Sequence, residues 1–136
     1  MIENYALIFI TWGIVAMKFG YFEALLFDEY PMLGLKYKYI HFLFTFLRAL
    51  VSFVFIYYFE VHWTVIFPMM LCFPFLHDGT YYVTRNFYNP KIYRLGWKAR
   101  SGETTAIISL RYKDRLFLFY IAMLVMTVIM IVVKSR

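Results

Sequence analysis

Apolar residues along this chain gather into four stretches, 5–22, 39–59, 61–76 and 116–133, and most of its charge lies between them. A helix needs about 20 mostly apolar residues to cross the hydrocarbon of a bilayer, within a working range of roughly 17–25. The stretches 5–22, 39–59 and 116–133 meet that length. The third, 61–76, is shorter and carries Pro68 and Pro74, each of which lacks a backbone donor and can kink a helix. The pattern predicts a span for each. The third is read as a kinked helix running on through His77 and Tyr82, with a re-entrant segment as the alternative. Trp63 and the Tyr81–Tyr82 pair suit its two interfaces.

The architecture this implies is an all-α membrane protein, a bundle of about four transmembrane helices forming one polytopic domain over 1–136. A small cap is expected from 77–115. After Gly96, the segment 97–113 reads as a short β-hairpin, because Ile108, Leu110 and Tyr112 alternate with Ser109, Arg111 and Lys113. An interfacial helix is the alternative there.

Composition agrees with the membrane class. The chain is 63% hydrophobic and 24% aromatic, where a soluble domain would be about half apolar. The sole cysteine, Cys72, lies in an apolar run, so neither an intrachain disulfide nor a thiolate metal cluster can form. Packing is its expected role. The first four residues carry no basic flank and no cleavage signal follows, so 5–19 is read as a retained helix.

Charge sets the orientation. The segment 77–115 carries eight basic residues, Arg85, Lys91, Arg94, Lys98, Arg100, Arg111, Lys113 and Arg115, opposed by Asp78, Glu103 and Asp114. Lys18, Lys36 and Lys38 flank the first connection, whereas the turn at 60–62 has no basic residue of this kind. With four spans both basic loops fall on one side, which the positive-inside rule makes cytoplasmic. The termini then lie outside, against the weaker vote of Lys134 and Arg136. A bacterial inner membrane, or a viral one, is the expected location.

The second stretch holds the sharpest chemistry. His41, Thr45, Arg48 and Ser52 follow steps of four, three and four, which keeps them on one helical stripe that Phe55 and Phe59 extend. Such a stripe turns away from lipid, toward other helices or a water-filled path. Arg48, near mid-span, costs about 2.5–3.5 kcal/mol on insertion scales. It sits too far from either end to snorkel, and no acidic residue appears at matching depth. Hydroxyls, carbonyls, water or an anion are its expected partners. One reading makes it a hydrogen-bonded packing residue; the other makes it part of an arginine ring around an anion-favouring pore in a homo-oligomer.

His77 and Asp78 form a polar pair expected at the cytoplasmic interface, with Asp78 bonded to Arg85 or a neighbour. Adjacent helical residues diverge by about 100°, which argues against chelation. His41, His62 and His77 show no metal-ligand spacing. The eight basic residues of 77–115, interleaved with Tyr88, Tyr93, Trp97 and Tyr112, form a surface for anionic lipid or an anionic nucleotide.

No phosphate-binding glycine loop, His-Glu-x-x-His or Gly-x-Ser-x-Gly occurs. The phosphatidyltransferase motif that begins Asp-Gly requires further aspartates, and none follows Asp78-Gly79 at that spacing. Enzymatic work is therefore not expected, with headgroup chemistry at His77 and Asp78 as the one exception to test, and no cofactor is expected. The function these features favour is a small oligomeric pore or channel gated by lipid or nucleotide, one version being an effector of anti-phage defence. The alternative is a structural or accessory protein of a cellular or virion membrane. Gly13 with Ala16, and Ala49 with Ser52, are the expected points of close helix approach.

Overall fold

The computed structural model describes residues 2–27, 37–91, 95–99 and 110–135, the side chains of 27 and 37–41 excepted. The chain forms four long helices: α1 (Ile2–Phe27), α2 (Tyr37–Tyr58), α3 (Ile66–Tyr88) and α4 (Tyr112–Lys134). Single 3-10 turns occupy Trp63–Val65 and Gly96–Lys98. Among the described residues there is no strand. The hairpin expected within 97–113 falls mainly on 100–109, outside the described residues.

α3 is the central element, packed along α1 on one side and α4 on the other, while α2 leans chiefly on α1. α1 and α3 run parallel: the Trp12 indole donates to the Met69 carbonyl at 3.1 Å, and Glu23 reaches His77 eleven residues further on. α4 runs against α3, with Phe75 on Phe119 at 4.8 Å and Arg115 over Tyr82 at 6.0 Å. α2 runs against α1, from the Phe19–Phe44 edge contact to the Asn4 amide on the Phe59 carbonyl.

Both prolines of the third stretch fit one continuous helix. Pro68 sits in the first turn of α3, where its missing donor has no intrahelical partner to lose. Pro74 lies within the helix and removes one rung of its ladder. α3 accordingly runs on to Tyr88, past the His77 and Tyr82 through which the third stretch was expected to continue. α1 also outruns its apolar stretch, reaching Phe27 and carrying Glu23 within its last turns.

A row of small residues lets α1 approach α3 closely. Gly13, Ala16, Gly20 and Ala24 recur at helical spacing and are buried. A Cβ at Gly20 would run into the His77 carbonyl oxygen, and one at Gly13 would press the Leu76 side chain at 3.3 Å. Ala49 is exposed, so the second expected small-residue pair makes no close approach of this kind. Between α1, α3 and α4 lies a core of Tyr5, Ile8, Trp12, Val65, Met69, Cys72, Ala122 and Met126.

The outward surface is apolar on several sides. Leu7, Ile10 and Ile14 on α1, Phe46, Leu50 and Phe53 on α2, and Leu124, Val128 and Ile131 on α4 are all exposed. Among the described residues two segments, Ile2–Leu26 and Tyr112–Lys134, are long and apolar enough to cross a membrane; Phe42–Tyr58 is a shorter apolar helix. At about 1.5 Å per residue, the latter of the two long segments, 23 residues, extends about 34 Å against a hydrocarbon core of about 30 Å.

Candidate functional site: a buried charged cluster

Glu23, Arg48 and His77, one from each of the first three helices, are 1%, 8% and 5% exposed. Buried ionisable groups are costly unless paired, and each of these has partners.

Arg48 is turned into the bundle, and its side chain runs back along α2. Nε donates to the Phe44 carbonyl at 3.0 Å and Nη2 to the Thr45 hydroxyl at 2.9 Å. A helical side chain leans toward its own N-terminus, so the guanidinium travels a full turn in the direction judged out of reach from the sequence. Nη1 comes 3.3 Å from His77 Nε2, and the guanidinium carbon lies 4.8 Å from the Phe73 ring centroid.

The His77 imidazole is the hub. Nε2 lies 2.9 Å from Glu23 Oε2, and Nδ1 lies 3.0 Å from Asp78 Oδ1. Phe73 stacks on the ring at 4.5 Å, one turn before it, and Tyr81 lies parallel at 6.4 Å one turn after. The ring is thereby held edge-on to both carboxylates. The absence of an acid near Arg48, argued from the four apolar stretches, is corrected here. α1 continues past its apolar run, and parallel packing on α3 brings Glu23 to the same level. Of the two partners expected for Asp78, Arg85 or a neighbour, it bonds the neighbour, His77. The 100° divergence of their Cα–Cβ directions is closed by the reach of the two side chains. Arg85 donates to the Tyr81 hydroxyl at 3.0 Å.

The other residues of the α2 stripe divide. Ser52 donates to the Arg48 carbonyl at 2.8 Å, and Phe55 and Phe59 pack against the main core. Thr45 is exposed apart from its bond to Arg48. The His41 side chain lies outside the described residues.

The basic residues of 77–115 divide. Arg85 and Arg115 are buried, at 5% and 0% exposure. Arg115 Nη2 donates to the carbonyls of Trp97 and Ala99 and so ties the Gly96–Lys98 turn to α4. Trp97 in turn lies on the bare backbone of Gly79, where a Cβ would strike the indole. Lys91, Lys98, Arg111 and Lys113 are exposed. Arg111 caps α4 through Asp114 at 3.0 Å, a carboxylate that holds the guanidinium's pKa above its ordinary value. Arg94 and Arg100 lie outside the described residues.

Among the described residues no three His, Cys, Asp or Glu side chains are arranged to hold a metal ion. Sequence reasoning missed Glu23 and the hub role of His77. The signal that could have found Glu23 was the Gly13–Ala16–Gly20 row three residues before it, which marks a close helix contact. No family model matches the chain, and no curated protein or solved structure was found to be similar to it.

Proposed function

We propose that the chain is a four-span membrane protein that works as a small homo-oligomeric ion pathway, controlled at the Glu23–Arg48–His77–Asp78 cluster. The observation that supports it is the contrast between an apolar exterior and a charged interior. Contiguous apolar patches on a soluble monomer rarely exceed a few hundred Å², yet exposed Leu, Ile, Phe and Val recur on α1, α2 and α4. Ionisable residues enclosed by such helices are expensive and commonly serve ion or proton movement. Arg48, joined to the cluster through His77, supplies the fixed positive charge that the carboxylates of Glu23 and Asp78 oppose, so the ion preference of the pathway is tied to this cluster.

In this reading segment 77–115 is cytoplasmic. The exposed Lys91, Lys98, Arg111 and Lys113 rest on anionic headgroups, each basic side chain contributing about 1 kcal/mol. Such contacts would tie opening to lipid, or to an anionic nucleotide competing for the same side chains.

Flux through purified protein in liposomes is the test, with wild type beside Arg48→Ala and Arg48→Lys. The expected outcome is measurable flux whose ion preference shifts in Arg48→Ala and is largely kept in Arg48→Lys. Equal flux in all three, or none above protein-free vesicles, rejects the pathway.

One observation favours a second reading. Each group of the cluster already has a partner within the chain, as in a staple that joins three helices of a structural or accessory membrane protein. Under that reading Arg48→Ala lowers stability and no flux is seen in any form.

A further inference from the structure

His77 touches two carboxylates at once, and the hydrogen count of that arrangement has a consequence. A neutral imidazole carries one N–H, and an ionised carboxylate only accepts. If His77 were neutral and both acids ionised, one of the two contacts, at 2.9 or 3.0 Å, would set lone pair against lone pair. In a buried setting that repulsion is poorly screened. The cluster is satisfied only with one more proton than that state holds.

Arg48 narrows where the proton sits. Its Nη1 approaches the same Nε2 that faces Glu23, at 3.3 Å, and a guanidinium nitrogen can only donate. With the proton on Glu23, the carboxyl O–H and Arg48 share the single lone pair of Nε2, at 2.9 and 3.3 Å, while Nδ1–H donates to Asp78. All three contacts are then donor to acceptor. With the proton moved to Nε2, the imidazolium serves both carboxylates, and Arg48 is left facing an N–H.

We propose that Glu23 and His77 form a binding site for one exchangeable proton, held between Oε2 and Nε2 at the junction of α1 and α3. Among the described residues, the groups around it include Arg48 of α2, itself bonded to Thr45, and Asp78 and Tyr81 of α3. Arg115 of α4 lies across the α3–α4 interface, its guanidinium 6.0 Å from the Tyr82 ring centroid. With the proton bound, Glu23 and Asp78 contribute one negative charge against Arg48. Without it they contribute two, and the Glu23–His77 contact turns repulsive. Release of the proton therefore loosens α1 from α3 where Gly20 brings their backbones together. The role of this site in gating rests on the ion-pathway reading; the existence of the site does not.

The experiment uses the full chain in lipid nanodiscs. His41→Gln and His62→Gln together leave His77 as the remaining histidine, so its ¹⁵N resonances can be followed through a pH titration. Infrared difference spectra of the same samples report any protonated carboxyl. The expected result is a single step in which the His77 resonances and a carboxyl band change together. Glu23→Gln abolishes the band, and Glu23→Asp retains a weakened, shifted one should the Gln variant fail to fold. A His77 that stays neutral at every pH with no protonated carboxyl, or one that titrates independently of Glu23, overturns the proposal. Flux across the same pH range separates the two ideas. A spectroscopic step without a matching step in flux keeps the proton site and removes its role in gating.

Discussion

Arg48 shows how a costly residue is accommodated atom by atom. Its three nitrogens meet a backbone carbonyl, a hydroxyl and an imidazole, and its carbon faces an aromatic ring. Taking one partner from a buried ionic set costs about 3–5 kcal/mol in a soluble core. In a bilayer the unfolded chain also finds partners, which draws the loss toward the lower end. Arg48→Ala should therefore lower stability by about 3 kcal/mol. Arg48→Lys, which keeps the charge but loses the Nε bond to Phe44, should fall between it and wild type. Thermal unfolding in detergent ranks the three, and equal midpoints would mean that the cluster contributes nothing to folding. Glu60 offers a change of opposite sign. It ends the α2 turn at φ 52°, a left-handed conformation that costs a side-chain-bearing residue about 1–2 kcal/mol. Glu60→Gly should raise the unfolding midpoint, and a lowered one would show that the carboxylate makes up for the strain.

At the scale of elements, α1 and α3 meet through small residues, and the two glycines of that row differ in what they face. An added methyl at Gly20 meets the His77 backbone, which cannot swing aside, whereas at Gly13 it meets the movable end of Leu76. Overpacking costs typically 1–3 kcal/mol. Gly20→Ala should therefore cost about 2 kcal/mol and disturb the His77 resonances, while Gly13→Ala should cost less and leave them in place. The reverse order in unfolding midpoints would contradict the parallel α1–α3 contact. The Gly96–Lys98 turn is bonded to α4 through the Arg115 guanidinium and packs on α3 through Trp97. Arg115→Met, similar in length but without donors, should release that turn and speed tryptic cleavage after Lys98 several-fold. An unchanged cleavage rate would mean that Trp97 packing on Gly79 holds the turn unaided.

For the whole molecule, the proposed four-span topology makes an accessibility prediction. Cys72 is fully buried, so it should stay unlabelled by a membrane-impermeant maleimide in the native chain. Cysteines introduced at 2 and 135 should label from outside and one at 98 only from inside. Any other distribution rejects the orientation. Much of the element scale was legible in the chain. The four apolar stretches became four helices; on α2, Arg48 is buried, Ser52, Phe55 and Phe59 are half-buried and Thr45 is exposed. The sequence by itself determined the helices because helix period and apolar length are local, carried by residues within a few turns of each other. The cluster was not legible in the same way. Glu23 lies outside the apolar run of α1 and reaches His77 only because α1 packs parallel to α3 at the level set by Gly20, whereas Asp78 meets it from the next position on α3. Which acid meets which base, and whether a basic residue such as Arg115 faces solvent or the interior, depends on contacts between residues tens of positions apart. Tertiary structure decided those, since burial makes an unpartnered charge too costly to leave to chance.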